Sequence, residues 1–387
     1  MLDQLHIRNF RMLEDFSVKP LGRVNLIVGR NNSGKSTVLE ALRLLAEGGN
    51  GRFLQSLLVE HDELKADDFD ADQADATLSA IRHFFTGRAL PKTDDDFIFI
   101  GSDIGKCIKL EHVFFELKEE QVKDGVGNVS EGRYRQVRVP ILKSAVKSDQ
   151  AIRQGLTVTQ QNGGGAYSKL WDMAVPWSSN RTSAADASLD KIPYGFIPTH
   201  FVDQDNLASL WDRFLPPPAE QRVLAALRII EPHVEGLAFI NTPRARDNGH
   251  ADWMPVVKLR GQAEPIPLNS MGDGMFRLLQ LVLASAQAKG GFLLVDEFEN
   301  GLHFTVQEAV WRLVFQIAVE LDMQVFATTH SWDCIESFVR VAKAHPKEGV
   351  LFKMSRSRLT SDAGKIIATV YDEERLALAT AMEMEVR

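Results

Sequence analysis

Cysteine is almost missing from this chain: only Cys107 and Cys334 occur in 387 residues, far apart in sequence. That excludes a disulfide framework, a zinc knuckle and a CxxC hook, and a reducing, cytosolic compartment is the expectation. A bilayer-crossing run of about 18 apolar residues is also missing; the nearest approach, over 278–295, is broken by Gln280, Gln287 and Lys289. The opening MLDQLHIRNF carries Asp3, His6 and Arg8, which leaves no apolar signal core. Excess positive charge is lacking too. Lysine and arginine total 44 against 52 acidic residues, for a net charge of −8 and a pI near 5.7. A surface basic all over is therefore excluded, and any contact with DNA needs a local patch. What is present is ordinary for a soluble globular protein, with 44% hydrophobic and 25% charged residues. The length is two to three times a usual domain of about 150 residues, and no internal repeat is visible.

Two short strands are expected over 2–8 and 13–18, then a buried strand VNLIV (24–28) and an amphipathic helix TVLEALRLLA (37–46). Acidic clusters at 62–75 and at Asp94, Asp95 and Asp96 read as solvated loops or caps. From 97 to 141 the runs FIFIG, CIKLEHVFFELK and RYRQVRVPIL predict an antiparallel meander. The Gly, Ser and Asn-rich stretch 160–190 predicts a mobile loop. A helical section follows at 203–233, interrupted by Pro216, Pro217 and Pro218, and strands resume near 237–241 and 255–259. The end alternates: helix 272–288, strand 292–295, helix 305–320, strand 324–329, and a helix from 332. Both chain ends look like one α/β unit with the middle inserted.

The strongest local signal is Gly29-Arg30-Asn31-Asn32-Ser33-Gly34-Lys35-Ser36-Thr37, a complete GxxxxGK[ST] between a strand and a helix. Glycines let backbone N–H groups turn inward around a phosphate, and the helix presents its positive end to the same charge. Lys35 would reach the β- and γ-phosphates, and the Ser36 hydroxyl would ligate Mg²⁺. The second element is Phe292-Leu293-Leu294-Val295-Asp296-Glu297, four apolar residues and a carboxylate pair. A buried parallel strand ending in Asp296 would set that carboxylate beside the phosphate loop, where it could hold Mg²⁺. Glu297 could then orient or deprotonate an attacking water.

The third element, Phe326 to Ser331, is a strand ending in a lone histidine. His330 lies 33 residues after Glu297, one helix and one strand later, so a neighbouring parallel strand would deliver it to the same sheet edge. The fourth, Leu268 to Gly274, opens a helix; Ser270 lies 26 residues before Asp296. Serine and glycines at a helix start form an anion site, although Ser270 or Asp273 alone would also serve as an ordinary N-cap.

Together LHIRNFRML, VNLIVGRNNSGKSTVLEAL, SMGDG, LLVDEFENGLH and FATTHS resemble the ABC-type ATPase head of the SMC, RecF and OLD group. The likeness is greatest to compact OLD-like, AAA-type ATPases of phage-defence operons. It is strong over 1–46 and 264–338 and loose between. The resemblance implies an α/β P-loop ATPase with a mixed sheet, an antiparallel β lobe and an inserted helical lobe. It makes Gly29 to Thr37 the Walker A loop (Gly29, Asn31, Asn32, Ser33, Gly34, Lys35, Ser36 and Thr37 around ATP). Asp296 and Glu297 become Walker B, and His330 the switch histidine. Asn300 and His303 fall in the D-loop, with Glu299, Gly301 and Leu302. Ser270, Gly272 and Gly274 stand for the signature motif, which in that group meets the γ-phosphate bound to the other subunit. The signature reads SMGDG rather than LSGGQ, and RHFFTGR (82–88), in a plausible place for the Q-loop, holds no glutamine.

Relatives are separated by spacing. No NKxD motif points to guanine. The 235 residues from Lys35 to Ser270 exceed the roughly one hundred of transporter subunits in the resembled superfamily, and contain no long heptad array. A TOPRIM nuclease domain needs roughly a hundred residues and a DxD to hold two metals. Only 57 residues follow His330, without a DxD, so a nuclease would be a separate polypeptide. The expected segments are 1–96 (core with Walker A), 97–200 (β lobe and loop), 201–270 (helical lobe) and 271–387 (core with Walker B). A basic strip, Arg133, Arg135, Arg138, Lys143 and Lys147, could contact phosphates or merely guard a sheet edge. The expected protein is a cytoplasmic, ATP- and Mg²⁺-using homodimer or higher oligomer without a membrane anchor. It would regulate a TOPRIM or HNH effector in anti-phage defence, with DNA as a further partner; a RecF- or SMC-like repair ATPase is the alternative.

Overall fold

A computed structural model describes residues 1–64, 79–102, 105–123, 129–146, 152–162, 165–173, 191–199, 204–214, 220–243, 251–362 and 364–371. The chain forms two compact units, one of Met1–Leu5, Ser17–Ala46 and Ile192–Arg387, the other of His6–Phe16 and Glu47–Lys191.

The first unit is built on a six-stranded mixed sheet. Its strands are β3 (Val24–Val28), β9 (Tyr194–Ile197), β13 (Phe292–Val295), β14 (Gln324–Thr329), β15 (Gly349–Arg356) and β16 (Ile366–Tyr371), in the order β16-β15-β3-β14-β13-β9. Five are parallel, and β16 runs antiparallel at one edge. Every residue of β3, β13 and β14 is buried. That matches the apolar runs of β3 and β13, as parallel strands covered on both faces require, while β14 also buries Gln324, Thr328 and Thr329. Asn25 is the polar exception in β3: its amide donates to the carbonyls of Gly22 (2.8 Å) and Val325 (3.1 Å) and accepts from Gly22 N–H (2.9 Å).

Helices α1 (Lys35–Ala46), α5 (Asp273–Gln287), α6 (Phe304–Glu320) and α7 (Trp332–Ala342) flank these strands in sequence. Before α5 lie α3 (Gln204–Phe214), α4 (Glu220–Leu227) and an antiparallel sheet of β10 (Val234–Pro243), β11 (Ala251–Leu259) and β12 (Ile266–Pro267). The two helices fall within the section expected to be helical over 203–233, and β10 and β11 cover the strands expected near 237–241 and 255–259, so the lobe over 201–270 holds both helix and strand. Trp311 of α6 stacks on Phe298 at 3.7 Å between ring centroids and meets Phe338 of α7 edge-on at 5.0 Å, so the residue after Glu297 is anchored in the core.

Strand β9 contains Gly195, where a methyl group would strike the backbone carbonyl of Ala284 in α5. Backbone cannot rotate aside as a side chain does. Gly195→Ala is therefore expected to destabilise the protein by about 1–3 kcal/mol, the cost of overpacking, read as a lower midpoint in urea.

The second unit carries a seven-stranded sheet of β1 (Leu5–Phe10), β2 (Leu13–Val18), β4 (Ile98–Gly101), β5 (Cys107–Lys123), β6 (Val129–Ile141), β7 (Arg153–Asn162) and β8 (Gly165–Asp172). The stretch expected as a mobile loop from 160 is instead, up to residue 172, the hairpin β7–β8. Along β7, Leu156, Val158 and Gln160 alternate inward. Residues 174–190 of that expectation lie outside the described residues. Helix α2 (Gly51–Glu60) belongs here as well: Gly51 lies where a Cβ would stand 2.8 Å from the Trp171 ring. The division expected at residue 96 consequently falls after Ala46, and the one expected at 200 falls before Ile192, because β9 pairs with β13. The acidic stretch 62–75 is described only to residue 64.

Candidate nucleotide site

Parallel pairing explains how distant motifs meet. Val28 is opposite Thr329, and Val295 is opposite both Ala327 and Ile197. The chain therefore leaves the sheet at one edge after Val28, Ile197, Val295 and Thr329, the carboxyl edge where open α/β sheets bind ligands. An open cleft of about 420 Å³ lies there, lined by Gly29, Arg30, Asn31, Thr329, His330 and Ile335.

The loop after β3 is tight. A Cβ on Gly29 would stand 2.6 Å from the Met354 carbonyl oxygen and 2.7 Å from Ser33 Oγ. Asn32 and Gly34 adopt left-handed φ of 58° and 91°, which glycine tolerates freely and asparagine better than most residues. Asn31 and Asn32 are exposed, Ser33 and Gly34 buried, and Thr37 half-buried. Lys35, 9% exposed, donates from Nζ to the carbonyls of Gly29 (2.8 Å) and Arg30 (3.1 Å). Burial lowers its pKa, against the pull of Asp296, Glu297 and Glu299.

Hydroxyls converge on Asp296. Ser36 Oγ lies 3.0 Å from Oδ2 and 3.3 Å from Oδ1, Thr328 Oγ1 donates to Oδ1 at 2.6 Å, and Thr199 Oγ1 to Oδ2 at 3.2 Å. Glu297 has a left-handed φ of 48°. Its N–H donates to Thr328 Oγ1 (2.8 Å), and its Oε2 accepts from the Asn300 amide (3.0 Å). His330 donates its backbone N–H to Glu299 Oε1 (3.1 Å); its Nδ1 is 3.4 Å from that oxygen and 3.8 Å from Glu297 Oε1. Beneath them Arg277 of α5, 3% exposed, reaches the carbonyls of Asp296, Glu297 and Pro198. Burial pulls its pKa down to about 10, partly offset by Glu299, Asp296 and Glu297.

Lys35, Ser36, Asp296, Glu297, Asn300 and His330 are therefore linked by hydrogen bonds or close charges. Ser270 and Gly272 are instead exposed. Gly272, with φ of 92°, is the N-cap of α5, and Gly274 lies where a Cβ would be 2.7 Å from the Gly301 carbonyl. The SMGDG segment thus packs on the turn after Glu297 while Ser270 faces outward. His303, exposed, occupies the N-cap position of α6 without a side-chain bond to the helix backbone; its Nδ1 lies 2.9 Å from Thr305 Oγ1.

The basic strip fares differently. Arg133, Arg135 and Arg138 lie on β6, where the side chains of the first two are outside the described residues; Arg138 is exposed, with Nη1 3.4 Å from the Leu170 carbonyl. Lys143 is not on a strand but in a 3₁₀ turn, where its ammonium donates to the Thr93 carbonyl at 2.7 Å. Burial lowers its pKa, opposed by Asp94, Asp96 and Glu111. Lys147 is outside the described residues. The 82–88 segment forms two 3₁₀ turns with Phe84 and Phe85 buried.

Sequence reasoning missed Arg277, Thr199, Thr328 and the proximity of Glu299 to His330. Arg277 alone carried a signal, a cation inside the apolar run MFRLLQL. Thr199 stands in no motif, and only the pairing of β9 brings it to Asp296.

Comparisons with known proteins bear on the same segments. A model described as an AAA ATPase domain matches residues 1–148, and one described as an AAA domain, putative AbiEii toxin, Type IV TA system, matches 258–333. An ATP/GTP phosphatase of Helicobacter pylori is 20% identical over 361 residues, 89% of each chain. A DNA replication and repair protein RecF of Cellvibrio japonicus is 41% identical over 64 residues, 16% of this chain and 18% of the relative. Among solved structures, an SMC head domain from Pyrococcus furiosus, bound to the C-terminal domain of ScpA, aligns over 99% of both chains at 12% identity and a TM-score of 0.45.

Proposed function

We propose that this chain, a P-loop ATPase with an ABC-type head, is an ATP-driven switch that completes its active sites by pairing with a second copy. Lys35 would exchange the carbonyls of Gly29 and Arg30 for the β- and γ-phosphates of ATP, with Gly29 to Thr37 wrapping the phosphate chain. Ser36 and Asp296 would hold Mg²⁺. The donor set suits it: one carboxylate flanked by hydroxyls, beside a phosphate loop, matches an ion that takes few protein ligands and keeps phosphate oxygens and water. Bound there, the ion neutralises charge on the phosphates. Glu297 would take the proton of a water whose oxygen bonds to the γ-phosphorus as the bond to ADP breaks, and His330 would contact the γ-phosphate.

The observation that carries this reading is the placement of Glu297. It stands one residue beyond the Asp296 that touches Ser36, with its carboxylate held by Asn300 and 3.8 Å from His330. The exposed Ser270 at the start of α5 would close the site of the partner copy. Ser270→Arg is accordingly expected to leave ATP binding by the single copy intact and to lower turnover at least about tenfold, as removal of a transition-state contact does. Equilibrium titration with a fluorescent ATP analogue, beside steady-state phosphate release, separates the two. The pairing itself is tested by sedimentation of Glu297→Gln with and without Mg·ATP. A dimer that forms only with nucleotide supports the reading, and a species of unchanged mass counts against it.

The purpose of such a switch would be to regulate a separate effector, a TOPRIM or HNH nuclease, in anti-phage defence. The likeness of residues 258–333 to the domain of a putative AbiEii toxin of a Type IV TA system supports this, as does the acidic balance, which favours a regulator over a dedicated DNA binder. The RecF likeness favours a second reading, a repair ATPase acting on DNA. Co-purification of a stoichiometric nuclease speaks for the first, and ATP-dependent binding to gapped duplex for the second. No helix among the described residues is long and apolar enough to cross a membrane, and a cytoplasmic location fits either reading.

A further inference from the structure

Arg277 is an expensive residue to keep. It sits just over one turn into α5 and is 3% exposed; among the described residues its hydrogen bonds go to three main-chain carbonyls and to no carboxylate: Pro198 at 3.0 Å, Asp296 at 2.6 Å and Glu297 at 2.8 Å. A buried guanidinium carries a desolvation penalty that an apolar residue of similar volume would avoid, and α5 is otherwise packed with Met275, Phe276, Leu278, Leu279 and Leu281. Stability alone does not account for a cation there.

Its geometry offers another account. The φ and ψ of a residue are set by the orientation of the two peptide planes that flank its Cα. Around Glu297 the preceding plane is held at the Asp296 oxygen by Arg277 and at the Glu297 nitrogen by Thr328 Oγ1, 2.8 Å away. The following plane is held at the Glu297 oxygen by Arg277 and at the Phe298 nitrogen by the Thr328 carbonyl, 2.9 Å away. Both planes are thus pinned at both ends, and one Nη2 atom serves the two oxygens. The conformation so held, φ of 48°, is one that a residue with a Cβ disfavours by about 1–2 kcal/mol and that persists where the surroundings over-determine it. Relaxation to φ below zero would turn the Cα–Cβ bond and carry the Glu297 carboxylate away from Asn300 and His330.

We propose that Arg277 is a positioning residue for ATP hydrolysis, which clamps the main chain of Glu297 in the left-handed conformation that aims its carboxylate at the attacking water. The inference rests on the reading of Glu297 as the base. It predicts that Arg277 acts on turnover and not on nucleotide affinity, since Lys35 and the loop after β3 are untouched by the clamp.

The test uses Arg277→Lys, which keeps the charge but not the fork, and Arg277→Met, which keeps most of the volume. Both are expected to lose kcat at least about tenfold, the scale of a misplaced reacting group, with KM for ATP and affinity for a non-hydrolysable ATP analogue within about twofold of the parent. In the Glu297→Gln background Arg277→Lys should cost nothing further, because residues acting as a unit are non-additive. A kcat near the parental value in both variants overturns the proposal. So does a further loss in the double variant, or loss of the folded state in both, which assigns Arg277 to stability. Parental turnover in Glu297→Gln alone would instead sink the reading of Glu297, and is distinguishable on that ground.

Discussion

Replacing Glu297 by Gln is expected to lower kcat for ATP hydrolysis by about 10²–10⁴, the range that general-base assistance supplies. The amide keeps the size and one acceptor oxygen, so contacts with Asn300 and His330 are preserved in kind, but it cannot take a proton from water. Asp296, one residue earlier, cannot substitute. Its two oxygens are occupied by the hydroxyls of Ser36, Thr199 and Thr328, which suits a metal ligand. Glu299 is turned toward the main chain of His330. Nucleotide affinity should survive or rise, because the loop after β3 and Lys35 are unchanged and one negative charge near the γ-phosphate is gone. Single-turnover phosphate release read beside equilibrium ATP binding checks both halves of the expectation.

Lys35→Ala should fail earlier. Its ammonium is nearly buried and rests on two carbonyls of its own loop, a partner set that an anionic phosphate can displace. With three carboxylates close by, Asp296, Glu297 and Glu299, removing the Lys35 ammonium from among them leaves a site that repels a polyphosphate. Loss of one such charged donor costs about 10²–10³ in turnover, and here ATP binding itself is expected to fall with it. Calorimetric titration of the variant with Mg·ATP reads the loss directly. Binding at parental affinity would show that the phosphates lie elsewhere.

The legible parts of the molecule were those where local sequence and local structure coincide. The strands VNLIV and FLLV and the centre of QVFATT are largely apolar because both faces are covered, and each strand ends where the chain leaves the sheet toward the cleft. Hence Lys35, Asp296, Glu297 and His330 could be read one motif at a time and then joined by the rule of the carboxyl edge. Long-range pairing was not legible in the same way. Nothing in YGFI announces that it joins β13 and carries Thr199 to Asp296, since strand partners 98 residues apart leave no local mark. The hairpin over 153–172 was hidden because the run of glycines near 163–165 reads as a loop signal, although Gly165 already pairs with Asn162. Arg277 was visible as a charge within an apolar run, but its meaning lies in three carbonyls that no sequence pattern encodes.

The central claim is that each active site is shared between two copies, and subunit mixing tests it most directly. Lys35→Ala lacks a working nucleotide pocket but keeps Ser270; Ser270→Arg keeps its pocket and lacks the closing surface. Each protein alone should be nearly inactive. In an equimolar mixture half the dimers are hybrids by random pairing, and each hybrid carries one intact composite site, so up to about a quarter of the parental ATPase rate should return. A mixture no more active than the sum of its two components would contradict the shared site.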